Sequence, residues 1–169
     1  MKESPHWFLS KDGDDYVREF FDRHYSRIHR KDGRRSKKFI GPGQYILLRT
    51  WDCDAIFAWR KFIDDCPGQF GVNCAIFRNE SSIKSSALIR EADAIADFAW
   101  PGERHYTYVN AQKIRSVNPG YCFKKAGWRQ CGETRKGLVI LERFSNENAV
   151  ILSNVNAKSI SKYPEKQQP

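Results

Sequence analysis

The sequence contains no Cys-x-x-Cys pair, and no Cys pair at ligand spacing accompanies its one close His pair, His24 and His29, which argues against structural zinc. Its cysteines number five (Cys53, Cys66, Cys74, Cys122 and Cys131). An odd count without paired spacing argues against a disulfide framework and for free thiols in a reducing compartment. No apolar run approaches the length of a membrane-spanning helix, and no signal-peptide pattern opens the sequence. A soluble protein without a membrane partner is the expectation. Neither an internal repeat nor a heptad pattern occurs, so solenoids and coiled coils are set aside. One absence is local: "RNESSIKSSALIR", from Arg78 to Arg90, holds no glycine.

What is present is positive charge and apolar mass. The net charge is +9 over 169 residues, with 40% hydrophobic and 14% aromatic side chains. Such a chain suits one globular domain, residues 1–169, and folding buries roughly two-thirds of the unfolded surface. The basic excess is clustered. "RIHRKDGRRSKK", residues 27–38, holds seven Lys or Arg against one Asp. A polyanionic partner follows: nucleic acid, a phosphorylated cofactor or an anionic surface.

Periodicity gives the element order. Residues 1–13 read as a loose lead-in. A helix is expected from Asp14 to Tyr25, with Tyr16, Val17, Phe20, Phe21 and His24 on one face and Asp14 and Asp15 at its positive end. The basic segment reads as a mobile loop. Strands are expected over Tyr45–Thr50, Ala55–Phe62 and Val72–Glu80, three antiparallel in a row. The clearest helix is Ser81–Trp100, with Ser81 or Ser82 as N-cap and Pro101-Gly102 at its end. Glu91 beside its apolar stripe suggests a pairing with Arg78 or Arg115. A strand at Arg104–Asn110 follows, then a short helix Pro119–Ala126 entered through Asn118-Pro119-Gly120, with Asn118 as cap. Two strands lie within Arg129–Arg143, one more is possible at "AVILS" in the segment 145–169, and a polar tail over 156–169 is expected to fray. Helices and strands in this order suggest an α/β or α+β sheet.

The order and the stretch "FKKAGW", Phe123 to Trp128, resemble the GNAT acyltransferase fold. In that family a central strand leads into a helix whose N-terminus receives the pyrophosphate of acetyl-CoA. The next strand splays away, and the acyl-pantetheine arm lies in the V between them. A short helix then ends in Gly-Phe or Gly-Trp. The resemblance implies an α/β fold: a GNAT-like mixed sheet with helices on both faces and splayed central strands forming a cofactor cleft. It implies acetyl-CoA or another acyl-CoA held by Phe77, Arg78, Asn79, Ser81, Ser82, Lys84, Ser85, Ser86, Asn118 and Phe123. The family's glycine loop is absent, and its usual tyrosine general acid is Phe123 here, with Tyr121 two residues earlier. "RHYSR", Arg23 to Arg27, and "KKAGWRQCGET" resemble a narrower group, the Mom-type phage DNA-modification proteins, which also lack the glycine loop. That likeness implies a transferase of phage or prophage type in a bacterial cytoplasm, acting on the adenine amino group of DNA.

The chemistry expected of these residues is specific. His24 can take a proton from a weakly nucleophilic amine near neutral pH. Tyr25 can stack on a base and Ser26 can position a phosphate, with Tyr121 as a further catalytic candidate. Equally, His24 can be a helix-end residue and Tyr25 a core residue; both readings stay open. Arg27, Arg30, Lys31, Arg34, Arg35, Lys37 and Lys38 are the candidate phosphate clamp. Tyr106, Tyr108 and Trp100 are further aromatic platforms for a flipped base, and Glu80 is a general base if buried. An acyltransferase acting on a small molecule, a protein amine or aminoacyl-tRNA is the alternative, as is a non-catalytic nucleic-acid binder. Monomer and homodimer remain open.

Overall fold

The computed structural model describes residues 5–24, 31–34, 36–62 and 69–145. Segments rich in Val, Ile, Leu and aromatic residues form strands β1 (Phe8–Ser10), β2 (Gln44–Arg49), β3 (Ala55–Lys61), β4 (Val72–Asn79), β5 (Arg104–Val109), β6 (Arg129–Glu133) and β7 (Val139–Phe144). Helices are α1 (Asp15–Phe21) before β2, α2 (Ser85–Ala99) between β4 and β5, and α3 (Tyr121–Lys125) before β6. The strands form one seven-stranded mixed sheet in the order β1-β2-β3-β4-β5-β7-β6. Every neighbouring pair is antiparallel except β4 and β5. The α/β class and the antiparallel run β2-β3-β4 agree with the sequence.

The parallel pair is very short. β4 and β5 meet only at Val72↔His105 and Asn73↔Tyr106, after which no ladder joins them. Gly71 permits that meeting. Its φ is +100°, and a Cβ there would stand 2.1 Å from the Arg104 carbonyl oxygen.

Side-chain alternation along the strands splits the core in two. Ile46, Leu48, Phe57, Trp59, Val72 and Cys74 pack with the buried stripe of α2 (Leu88, Ile89, Ala92, Ile95, Ala96) and with Phe123 of α3. The alternate residues Tyr45, Leu47, Ile56, Ala58 and Ile76 pack with Val17, Phe20 and Phe21 of α1. Three indole N–H groups fix α2: Trp7 donates to the Leu88 carbonyl (2.8 Å), Trp59 to the Ala92 carbonyl (2.9 Å) and Trp128 to Asp93 Oδ2 (2.9 Å). A buried indole contributes roughly 4–6 kcal/mol of gross apolar burial, and its N–H must find an acceptor there.

Several local expectations are corrected. The lead-in is not loose: β1 pairs with β2, and Trp7 is buried. α1 is seven residues long and stops at Phe21; Asp14 caps it, accepting from the Tyr16 and Val17 N–H groups, and Tyr16 is 77% exposed rather than on the apolar face. α2 starts at Ser85, not Ser81, because Asn79 Oδ1 accepts from both the N–H and the hydroxyl of Ser81 and folds these residues into a turn. Asn118 does not cap α3 with its side chain, which accepts from Lys124 Nζ (2.7 Å); Gly120, at φ +74°, is the cap residue. Glu91 pairs with His6, through the ring (2.6 Å) and the backbone N–H (3.1 Å), not with Arg78 or Arg115. Trp100 and Tyr106 are buried core residues and offer no stacking platform. The strand expected at "AVILS" and the tail 156–169 lie outside the described residues. Among the described residues, no helix is long and apolar enough to cross a membrane.

Gly71→Ala should lower stability by about 2–4 kcal/mol, the sum of a left-handed alanine and an overpacked contact. Urea denaturation measures it; a loss under about 0.5 kcal/mol would show that β4 and β5 can meet without the glycine.

Candidate active-site cleft

Strands that part leave backbone groups that need partners. Two side chains supply them here. The Thr107 hydroxyl donates to the Cys74 carbonyl across the gap (2.9 Å), and His24 Nε2 donates to the Phe77 carbonyl (3.2 Å). Between and beyond these bonds opens a cleft of about 950 Å³. Asn73 to Phe77 of β4 form one wall and Thr107 to Asn110 the other. Arg18 and Phe21 of α1 and His24 in the turn after it close it on one side, and Tyr121, Cys122 and Phe123 close it from α3.

His24 follows α1 in a turn, its N–H bonded to the Phe21 carbonyl (2.7 Å) and its ring stacked 6.1 Å from that of Phe21. Its side chain is buried. A carbonyl can only accept, so Nε2 carries the proton and Nδ1 is the basic nitrogen. Burial pushes the His24 pKa down; the bond to Phe77 opposes this and the Arg78 charge adds to it. The ring is therefore neutral at pH 7, the form a general base needs.

On the α3 side, Gly120 brings the helix down onto the sheet: a Cβ there would stand 2.4 Å from Leu141 Cδ1. Phe123 is buried, its ring 5.8 Å from Phe77 and 4.9 Å from Trp128. Tyr121 is half exposed at the rim, with Lys125 Nζ 5.5 Å from its ring centre. Tyr108 is half-buried on the β5 wall, and burial raises its phenol pKa.

The charged lining is mostly positive. Among the described residues, Arg18, Arg34, Lys38, Arg60 and Lys113 stand there against one carboxylate, Asp22. The basic segment is anchored beside the cleft by Asp12, which accepts from the N–H groups of Phe39 (2.8 Å) and Ile40 (3.3 Å). Residues 31–34 and 36–38 are exposed.

The structure thus gathers His24, Phe77, Asn118, Tyr121, Phe123, Arg34 and Lys38 around one cleft. Lys31 and Lys37 are exposed and are not part of its lining. Arg78, Asn79, Ser81, Ser82, Lys84, Ser85 and Ser86 also lie off the lining. Arg78 is held by Glu80 (2.7 Å) and by the Arg23 carbonyl (2.6 Å). Asn79 Nδ2 donates to the Ile83 carbonyl (2.7 Å) and Ser85 Oγ (3.0 Å). Glu80 is exposed, and its hydrogen bonds from Arg78 and Arg23 lower its pKa, so it is no buried base. Tyr25, Ser26, Arg27, Arg30 and Arg35 lie outside the described residues. Sequence reasoning missed Asn73, Thr107, Arg18 and Lys113, which are ordinary strand, helix and loop residues until the fold places them. It also missed the set formed by buried Asp93 and His105 with half-buried Asp97 and Arg143, in which His105 Nδ1 lies 2.9 Å from Asp93 and Arg143 donates to Asp97 (2.9 Å).

An acyl-CoA fits the residues present. Phe77, Cys122 and Phe123 give an apolar wall to the cleft. α2, which follows β4, begins with Lys84 at its N-cap, no side-chain cap and no acidic residue in its first turn. The Ala87 N–H bonds to the Lys84 carbonyl (2.9 Å), which leaves the Ser85 and Ser86 N–H groups to face an anion. Among the described residues no group of three or more His, Cys, Asp or Glu could hold a metal ion.

Compared with protein-family models, with curated proteins and with solved structures, the chain matches none.

Because the folded-state pKa of His24 lies below its unfolded value near 6.5, the unfolded chain binds the proton first on acidification. The contribution of His24 is complete above pH 6.5 and is lost as pH falls through the lowered folded value. Urea midpoints at pH 7.5 and 5.5 should therefore fall more steeply for the wild type than for His24→Gln. Equal slopes would mean that His24 is not buried neutral.

Proposed function

We propose that the chain is a GNAT-like transferase that uses an acyl-CoA to modify nucleic acid, with the adenine amino group of DNA as the target that its Mom-type resemblance favours. The observation that carries the reading is the parallel pair β4–β5, which meets at two residue pairs and then parts around the cleft. A strand leading into a long helix, a second strand splayed from the first, and a short helix ending in Ala126-Gly127-Trp128 are the features that the GNAT resemblance calls for. Core clusters on alternate strand residues, one with α1 and one with α2 and α3, agree with helices on both faces.

The cofactor would supply an activated acyl thioester. Phe77 and Phe123 would flank its arm, and Lys84 with the first N–H groups of α2 would meet its phosphates. His24 Nδ1 takes the proton that an incoming amine must lose. The Tyr121 hydroxyl, at the opposite side of the cleft, returns a proton to the leaving group. The cationic lining holds a phosphodiester, so binding should weaken steeply with salt. The site belongs to the bacterial cytoplasm, where both acyl-CoA and DNA are at hand.

The test is the mass spectrum of digested nucleosides from cells expressing the protein, beside empty vector and His24→Ala. A new nucleoside adduct present with the wild type and missing with the variant is expected, and its mass names the transferred group. A nucleoside profile identical to the vector control would sink the nucleic-acid reading and leave a small-molecule or protein acyltransferase, or a non-catalytic binder.

A further inference from the structure

Among the described residues of the cleft, Asn73 has a side-chain carbonyl that the fold leaves without a donor. It stands on central strand β4, where Val or Ile would be the ordinary choice and Asn is disfavoured. It is 5% exposed, and its Oδ1 has no hydrogen-bond partner. A buried carbonyl oxygen without a donor lowers stability, and an apolar residue would avoid that cost. Such a group in a cleft wall marks a site awaiting a ligand's N–H.

Its place is the base of the V. Asn73 pairs with Tyr106 in the last β4–β5 register pair and with Arg60 on β3. Tyr108 lies two residues beyond Tyr106, on the same face of β5, the two rings edge to face at 5.7 Å. Asn73, Tyr108 and His24 line one cleft. That cleft combines three demands on a ligand: an N–H donor for Oδ1 at the base, a flat ring against Tyr108, and negative charge for Arg18, Arg34, Lys38 and Lys113. A free carboxylate or phosphate satisfies only the last. A nucleotide whose base bears an exocyclic amino group satisfies all three.

We propose that Asn73 reads the acceptor base, with Oδ1 accepting from the exocyclic amine of a nucleotide while the phosphate stays with the cationic side chains. The inference rests on the nucleic-acid reading above and deepens it. A carboxamide offers an acceptor and a donor side by side, which matches the N6 amine and N7 of adenine. A purine without the 6-amino group keeps N7 but has no N–H on that edge and leaves Oδ1 unsatisfied, whereas an unpaired thymine still offers its ring N3–H. Asn73 is thus a specificity residue, distinct from the proton-transfer role given to His24.

The experiment is fluorescence anisotropy with labelled oligo-dA and an oligonucleotide of 2′-deoxynebularine, the purine that lacks only the 6-amino group, using the full chain and Asn73→Leu, with thermal melts of both proteins. The wild type should bind oligo-dA about tenfold or more tightly than the nebularine strand. Asn73→Leu should bring oligo-dA down to the nebularine affinity, leave nebularine binding unchanged, and melt at the wild-type temperature or above. A preference that survives in the variant, or a wild type that binds both strands equally, overturns the role of Asn73 alone. A variant that melts well below the wild type and binds neither strand overturns it too, by making Asn73 structural. A wild type that binds neither oligonucleotide removes the nucleic-acid reading and this inference with it.

Discussion

A sheet whose central pair parts after two residues must be held together by something other than its ladder. Strands β1 to β4 form one hydrogen-bonded unit and β5, β7 and β6 another. The bridge between them is α2. Trp7 and Trp59 bond its Leu88 and Ala92 carbonyls from the first unit. From the other side His105 of β5 and Trp128 beside β6 meet Asp93, while Arg143 of β7 meets Asp97. These acceptors lie within three turns of one helix. The network carries one gap: His105 Nε2 is buried 3.2 Å from Asp97 Oδ1 without a hydrogen bond, and the other contacts hold the helix. The cleft can stay open because the helix behind it does not let the halves drift.

The same constraint explains the residues at the mouth of the cleft. Thr107 and His24 are placed to answer carbonyls that the parted strands leave unmatched. For His24 this structural duty and the proposed chemical one coincide: the bond that satisfies Phe77 also fixes which ring nitrogen is basic, and the burial that accompanies it keeps the ring neutral. So held, the ring is positioned by the fold itself.

The strands β2 to β5 and β7 were legible because their apolar residues recur in runs bounded by Gly, Pro and Asp. The body of α2 was legible from Leu88, Ala92, Ile95 and Ala96. The ends were not. β1 is only three residues long and depends on Trp7 reaching Leu88, a contact no local pattern encodes. The start of α2 slipped by four residues because serine after serine offers caps, while the turn is decided by Asn79. Glu91 found His6 across the whole meander, where charge alone suggested an arginine. Of the cleft lining, resemblance points to His24, Tyr121 and Phe123, whereas Asn73 and Thr107 stand out only once the strands part.

The manner in which α2 is held has an optical consequence. Trp7, Trp59, Trp100 and Trp128 are buried, and the first, second and fourth donate directly to α2, whereas Trp51 is 73% exposed. The blue part of the intrinsic emission therefore originates around the helix that joins the two halves of the sheet, and the red part from the Thr50–Asp54 corner. The protein carries its own reporter of whether those halves are joined.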